Sequence, residues 1–165
     1  MSFVNFLQWL HDTGFSTTLR ESTWAEPIIE TIHVLTLTLF LGFAVLLDLR
    51  LLGVCLRRRP ASEVLRQLNP WLAGGFAVMA ASGTLLFSGD PVAFYSTIFL
   101  KVKIILLALA GLNVAVFQLT VGRKVHEWDA AGTPRGAKLV AIVSLVLWAL
   151  IVAAGRAIAY ALPPP

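Results

Sequence analysis

Thr31-Ile-His-Val-Leu-Thr-Leu-Thr-Leu-Phe-Leu-Gly-Phe-Ala-Val-Leu-Leu47 decides how this chain is read. It runs 17 residues without an Asp, Glu, Lys or Arg. A helix crossing a bilayer needs about 20 mostly apolar residues, with a range of about 17–25. Three more stretches match it: Trp71–Phe87, Ile104–Val121 and Leu139–Gly155, each 17 or 18 residues long. Each helix is expected to run past its uncharged core, giving spans at 27–52, 70–88, 98–121 and 138–160.

The rest of the chain agrees. Of its 165 residues, 58% are hydrophobic and 13% charged, with mean hydropathy +0.81. A soluble domain carries about 45–50% apolar and about 25% charged residues. The expected fold is all-α: an integral membrane four-helix bundle, one domain over 1–165. Residues 3–20 are expected to form a short amphipathic helix on the outer surface, with Phe3, Phe6, Leu7, Trp9 and Leu10 on its apolar side. Thr18–Ser22 should break it, and Pro27 suits the first turn of the next helix. The N-terminus lacks the basic region of a signal peptide. One cysteine, Cys55, excludes an internal disulfide and cysteine-rich metal sites.

Charge sets the orientation. Arg50, Arg57, Arg58, Arg59 and Arg66 follow the first span; Arg123, Lys124, Arg135 and Lys138 follow the third. Basic loops stay in the cytoplasm, so both termini face outward. The pI near 9.7 therefore points to anionic lipid, not nucleic acid. Arg20, Lys101, Lys103 and Arg156 lie on the outer side, against the bias. Each is either a functional cation or a side chain snorkelling from a helix end.

Ionisable residues inside a span mark interiors, cofactors or water cavities, because lipid cannot solvate them. At about 100° per residue, Glu26, Glu30, His33, Leu37, Ala44 and Asp48 share one stripe of the first span, expected to face the core. His33, Lys101, Lys103 and Arg156 fall at a similar height near the outer face, with Glu26 and Glu30 just above. Two chemistries suit that layer. A haem b needs an axial nitrogen, here His33, and cations for its propionates, here Arg156 with Lys101 or Lys103; Phe40, Phe76, Phe87 and Trp148 are candidate walls. Alternatively Glu26, Glu30 and His33 hold a copper or other transition-metal ion, in a haem-free binding or transport protein. A third reading is that these groups only satisfy one another. His11 and His126 read as surface and loop residues. Asn113 and Gln118 read as interhelical hydrogen-bonding groups, and Asp48 as an end group of the first helix. The small faces Gly74-Gly75, Ala80-Ala81-Ser82-Gly83 and Ala153-Ala154-Gly155 suit close packing within a chain or between copies, and a homo-oligomer is expected.

Glu26-Pro-x-x-Glu30-x-x-His33, Gly42, Asp48-Leu-Arg-Leu-Leu-Gly53, Phe99-Leu-Lys-Val-Lys103, Asn113 and Gly155-Arg156 resemble an uncharacterised bacterial family of small four-span inner-membrane proteins. His33…Gly42…Arg50-Leu51 and Val102-Lys103-Ile-Ile-Leu-Leu are also similar to HemJ-type protoporphyrinogen oxidases and CopD-type copper proteins. The HemJ resemblance implies haem b and carries over to His33 and Lys103. Phe117-Gln118 stands where that family has an aromatic–His pair, which separates haem binding from the family's enzyme activity. The expectation is a membrane haem protein for electron transfer or redox chemistry, an oxidoreductase or a carrier, working with a redox partner.

Overall fold

The computed structural model of the chain describes residues 3–129 and 132–161, and all regular structure among them is helical. The N-terminal segment is two helices, not one: α1 (Phe3–His11) and α2 (Gly14–Glu21). Thr13 makes the break. Its hydroxyl donates to the Leu10 carbonyl (2.7 Å) and accepts the Ser16 amide (3.3 Å), so it caps α2. The expected breaker at Thr18 continues the helix instead. Thr17 and Thr18 fold their hydroxyls back onto the carbonyls of Thr13 (3.1 Å) and Gly14 (2.8 Å).

Four long helices follow, each long and apolar enough to cross a membrane: α3 (Ala25–Leu52), α4 (Ala61–Gly89), α6 (Ile98–Leu119) and α8 (Arg135–Ala161). A short α5 (Pro91–Ser96) joins α4 to α6. A 3₁₀ turn (Gly122–Lys124) and α7 (Val125–Trp128) follow α6. The Ser22 hydroxyl accepts the Ala25 amide (3.1 Å) at the start of α3. Gly53 ends that helix at φ 75°, the left-handed conformation that lets its amide return to the Arg50 carbonyl (3.0 Å). α4 begins nine residues before Pro70, which sits inside the helix and forfeits one backbone hydrogen bond.

The start of α4 is held from far along the chain. Asp129, just past α7, accepts the amides of Ala61 (2.6 Å) and Ser62 (3.2 Å). Burial alone would raise this carboxyl. The Ser62 hydroxyl, the Ser62 and Ala61 amides and the Arg50 charge outweigh it and hold the group below the ordinary value of 3.8. A lowered acid stabilises the fold above its unfolded value, and that contribution is lost as pH falls through the folded one. Asp129→Ala should lower stability in detergent by about 1–2 kcal/mol at pH 7, the usual range for a lost N-cap. The gap between the two proteins should narrow as the pH of the melts drops below that value.

Packing runs α4 on α3, α3 on α8 and α8 on α6, whereas α4 and α6 are not packed on one another to a comparable extent among the described residues. The core has two parts. Phe40, Ala44, Met79, Ala110, Leu147, Trp148 and Ile151 fill one, from all four long helices. Leu51, Ala61, Leu65, Phe117, Val125, Ala137 and Ala141 fill the other, beside the basic connections. Ala137 and Ala141 are fully covered, so α8 approaches its neighbours closely there. Asn113 Nδ2 donates to the Val140 carbonyl (3.1 Å) and ties α6 to α8, while Gln118 is exposed. Leu39, Ile105, Leu112 and Leu139 are all exposed by 60% or more, as a lipid-facing surface requires.

α1 and α2 cover the end of the bundle opposite the basic connections. Leu7 and Ser16 are buried there. Arg20 is the clamp. Its Nη1 donates to the Gly89 carbonyl (2.9 Å), the Ser16 hydroxyl (2.8 Å) and the His11 carbonyl (3.2 Å). A cation on the last carbonyls of α4 also complements the helix dipole. His11 Nδ1 lies 3.4 Å from Asp90 Oδ1 in the same cover.

Candidate functional site

His33 lies two turns into α3, at the end of the bundle covered by α1 and α2. Its Nδ1 is 2.8 Å from Ser82 Oγ on α4. The direction of that bond follows the imidazole tautomer. The Ser82 hydroxyl has one hydrogen, which it donates to the Val78 carbonyl at 2.7 Å. In the tautomer where that oxygen is the acceptor, His33 Nδ1 carries the proton. The Met79 carbonyl, 3.3 Å from that same Oγ, is a second acceptor within the hydroxyl's reach. In the neutral ring Nε2 then holds the lone pair. This is the arrangement in which a histidine binds metal: one nitrogen fixed by a hydrogen bond, the other free to ligate.

Two glycines make the room. A Cβ on Gly83 would lie 3.3 Å from His33 Cε1, so the ring rests against the bare backbone of α4. A Cβ on Gly155 would lie 3.3 Å from Lys103 Nζ, so the lysine of α6 is laid across α8. Lys103 and Glu30 both act electrostatically on the His33 imidazole. Four helices thus each contribute to one layer: His33 from α3, Ser82 and Gly83 from α4, Lys103 from α6 and Gly155 from α8. The neighbours differ in give. The Lys103 ammonium is the far end of a flexible chain, whereas the His33 ring is pinned by Ser82. Gly155→Ala should be neutral or stabilising by up to about 1 kcal/mol, from helix propensity. Gly83→Ala should instead destabilise by about 1 kcal/mol, because overpacking outweighs that gain. Paired thermal melts in detergent would check the opposite signs.

The remaining candidates lie farther out. Glu30 and Glu26 are exposed on α3, so the polar stripe faces the interior only from His33 downward. Lys101 is exposed with its Nζ 4.7 Å above the Tyr95 ring. Arg156 is exposed and turned onto its own helix, with its guanidinium 4.9 Å from the Tyr160 ring and Nη2 3.4 Å from the Tyr160 hydroxyl. The structure therefore sets His33 against Gly83 of α4 and Lys103 against Gly155 of α8, puts Glu30 at the rim, and leaves Glu26, Lys101 and Arg156 on the outside. Among the described residues no three His, Cys, Asp or Glu groups gather closely enough to hold a metal ion. Below His33, Phe40 meets Trp148 edge-on at 4.7 Å and Phe76 at 6.3 Å, forming an aromatic floor. Phe87 instead pairs with Phe94 of α5. His126 is exposed on α7.

A model of the family of unknown function DUF6644 matches residues 18–161, which takes in every helix of the bundle. The chain belongs to this family. No curated protein and no solved structure matches it. For this DUF6644 chain the site therefore rests on its own residues. Ser82, Gly83 and Gly155 are the parts that reading the sequence assigned only to packing. What distinguishes Ser82 is its place opposite the one histidine of α3, and that pairing exists only once α3 and α4 are docked.

Proposed function

We propose that this chain is a b-type haem protein of the bacterial inner membrane, serving electron transfer or redox chemistry. One observation carries the reading: His33 Nδ1 is held 2.8 Å from Ser82 Oγ, and with that hydroxyl donating to the Val78 carbonyl Nε2 is the free nitrogen donor. The donor count favours a haem over a bare ion. A metal ion held by protein alone needs several side chains, and the described residues gather no three such groups. A porphyrin brings four nitrogens of its own and asks the protein for one or two more. The competing reading, a haem-free ion-binding or transport protein using Glu26, Glu30 and His33, has its ligands split between the rim and the interior.

In this reading His33 is the axial ligand. Lys103, the interior cation, would hold a propionate, and Lys101 and Arg156 would serve the wet edge. The weakly packed flank between α4 and α6 is where the bundle would part for a flat macrocycle. The aromatic floor of Phe40, Phe76 and Trp148 bounds the depth it reaches. Haem, when bound, supplies a one-electron couple; the chain supplies orientation, a low-dielectric setting and charge balance. The likeness of His33…Gly42…Arg50-Leu51 and Val102-Lys103 to the HemJ and CopD patterns supports the same assignment. Both basic connections lie at the end opposite His33, so the positive-inside rule favours a periplasmic site with both termini outside.

The test is the visible spectrum of the purified protein, oxidised and then reduced with dithionite. A Soret band that shifts on reduction, with sharpened α and β bands, is expected. A colourless protein from haem-replete cells overturns the haem reading, and copper and zinc analysis then tests the ion reading.

A further inference from the structure

A second ionisable group is buried in the bundle, away from the His33 layer. Asp48 sits on α3 one turn before its end at Leu52 and is only 6% exposed. The Ser144 hydroxyl of α8 is a polar neighbour of the carboxyl. One carboxyl oxygen, Oδ2, is buried with no hydrogen-bond partner among the described residues. The surroundings are apolar: Asp48 lies between Ala44 of one core cluster and Leu51 of the other. Among the described residues no salt bridge reaches it. Arg50, two residues on, turns to the Arg59 carbonyl (2.8 Å) and to Asp129. On α4, Glu63 is engaged with Arg59 and Gln67, and Arg66 is exposed. On α8, Arg135 and Lys138 are exposed. The only charged residues of α6 are Lys101 and Lys103, at its far end.

The geometry points to Asp48 as a proton-binding site inside the membrane domain, with the proton on Oδ2 and exchange toward the basic end of the bundle. A bare carboxylate oxygen in an apolar interior is too costly to persist without a partner. A proton on Oδ2 removes the charge by forming one O–H bond, with no electron change and no further ligand. A metal cation would remove it too, but hard cations take six or more oxygens, and among the described residues no group of three His, Cys, Asp or Glu gathers here. Access is short. Four residues separate Asp48 from the end of α3, about 6 Å at the helical rise, whereas His33 is about 22 Å away. An acid so placed can take up a proton from the basic side whatever the His33 layer binds. Intramembrane acids with such access characteristically serve proton transfer.

Dicyclohexylcarbodiimide tests this on the intact protein in detergent at pH 7. The reagent is apolar and reacts with the un-ionised acid. The acid O–H adds across one C=N bond, oxygen to carbon and proton to nitrogen, and the acyl group then shifts to nitrogen as a stable N-acylurea. Peptide mapping by mass spectrometry should place the adduct on Asp48, with loss of labelling as pH is raised. An infrared carboxylic-acid C=O band should be present in the wild type and lost in Asp48→Asn. An unmodified Asp48 peptide would overturn the proposal. So would labelling blocked by sodium or potassium but not by choline, which would assign a cation site instead. Because mapping locates the adduct on the unaltered chain, the test survives if Asp48→Asn fails to fold.

Discussion

His33→Ala should remove the haem spectrum altogether while leaving a folded protein. The reasoning is one of coordination. In the proposed site His33 Nε2 is the iron ligand on its side, and among the described residues no other histidine or cysteine lies on the long helices at that level. Alanine also removes the donor to Ser82 Oγ, but Ser82 keeps its bond to the Val78 carbonyl at 2.7 Å, so no buried hydroxyl is stranded. The stability loss should therefore stay near 1 kcal/mol, the net worth of an ordinary hydrogen bond. Ser82→Ala separates ligation from orientation. The imidazole remains but loses the acceptor that fixes its tautomer, and haem retention should fall about 10–100-fold, the usual cost of losing such a partner. His126→Ala, exposed on α7, should leave the spectrum unchanged. Retained haem in His33→Ala would remove His33 as ligand, and an unaltered Ser82→Ala would remove the tautomer argument.

The spans were legible because lipid imposes a crude rule, a run of apolar residues of fixed length, and Thr31–Leu47 obeys it. His33 was legible as an interior residue for the complementary reason, that lipid cannot solvate it. The rest of the layer was not, and the reason is partnership. Arg156 and Lys101 fall at the right height, yet each has an aromatic ring on its own side, Tyr160 and Tyr95, and turns outward to it. Lys103 has no such neighbour and lies across Gly155 instead. Height follows from chain position; direction follows from contacts made after docking. The same holds for Asp129, whose capping of α4 joins residues 68 apart in sequence. It also holds for the N-terminal break, decided by whether Thr13 or Thr18 caps a helix when both can.

Phe40→Ala should give a large stability loss for a single change in the bundle core. Phe40 is 6% exposed, meets Trp148 edge-on at 4.7 Å and Phe76 at 6.3 Å, and its Cβ lies 3.3 Å from where a Cβ on Gly75 would be. It is the point where α3, α4 and α8 converge. In water the loss would include the transfer of a phenyl ring. In a bilayer the separated helix keeps that ring in lipid, so little transfer energy is at stake and packing carries the difference. What remains is the cavity, about 24 cal/mol per Å³, which for a lost side chain of roughly 100 Å³ comes to about 2–2.5 kcal/mol. Leu39→Ala is the control: Leu39 is 64% exposed to the surrounding phase and should change stability by less than about 0.5 kcal/mol. Comparable losses at both positions would mean that α3 is not docked through Phe40. The contrast with His33 also separates site from scaffold. Phe40 lies two turns below His33 on the same helix and holds α3 against the α4 face that presents Ser82. Its loss should weaken haem retention only in proportion to lost stability, whereas His33→Ala should abolish binding at almost full stability. Parallel melts and spectra of the two variants would show whether ligand and scaffold fail independently.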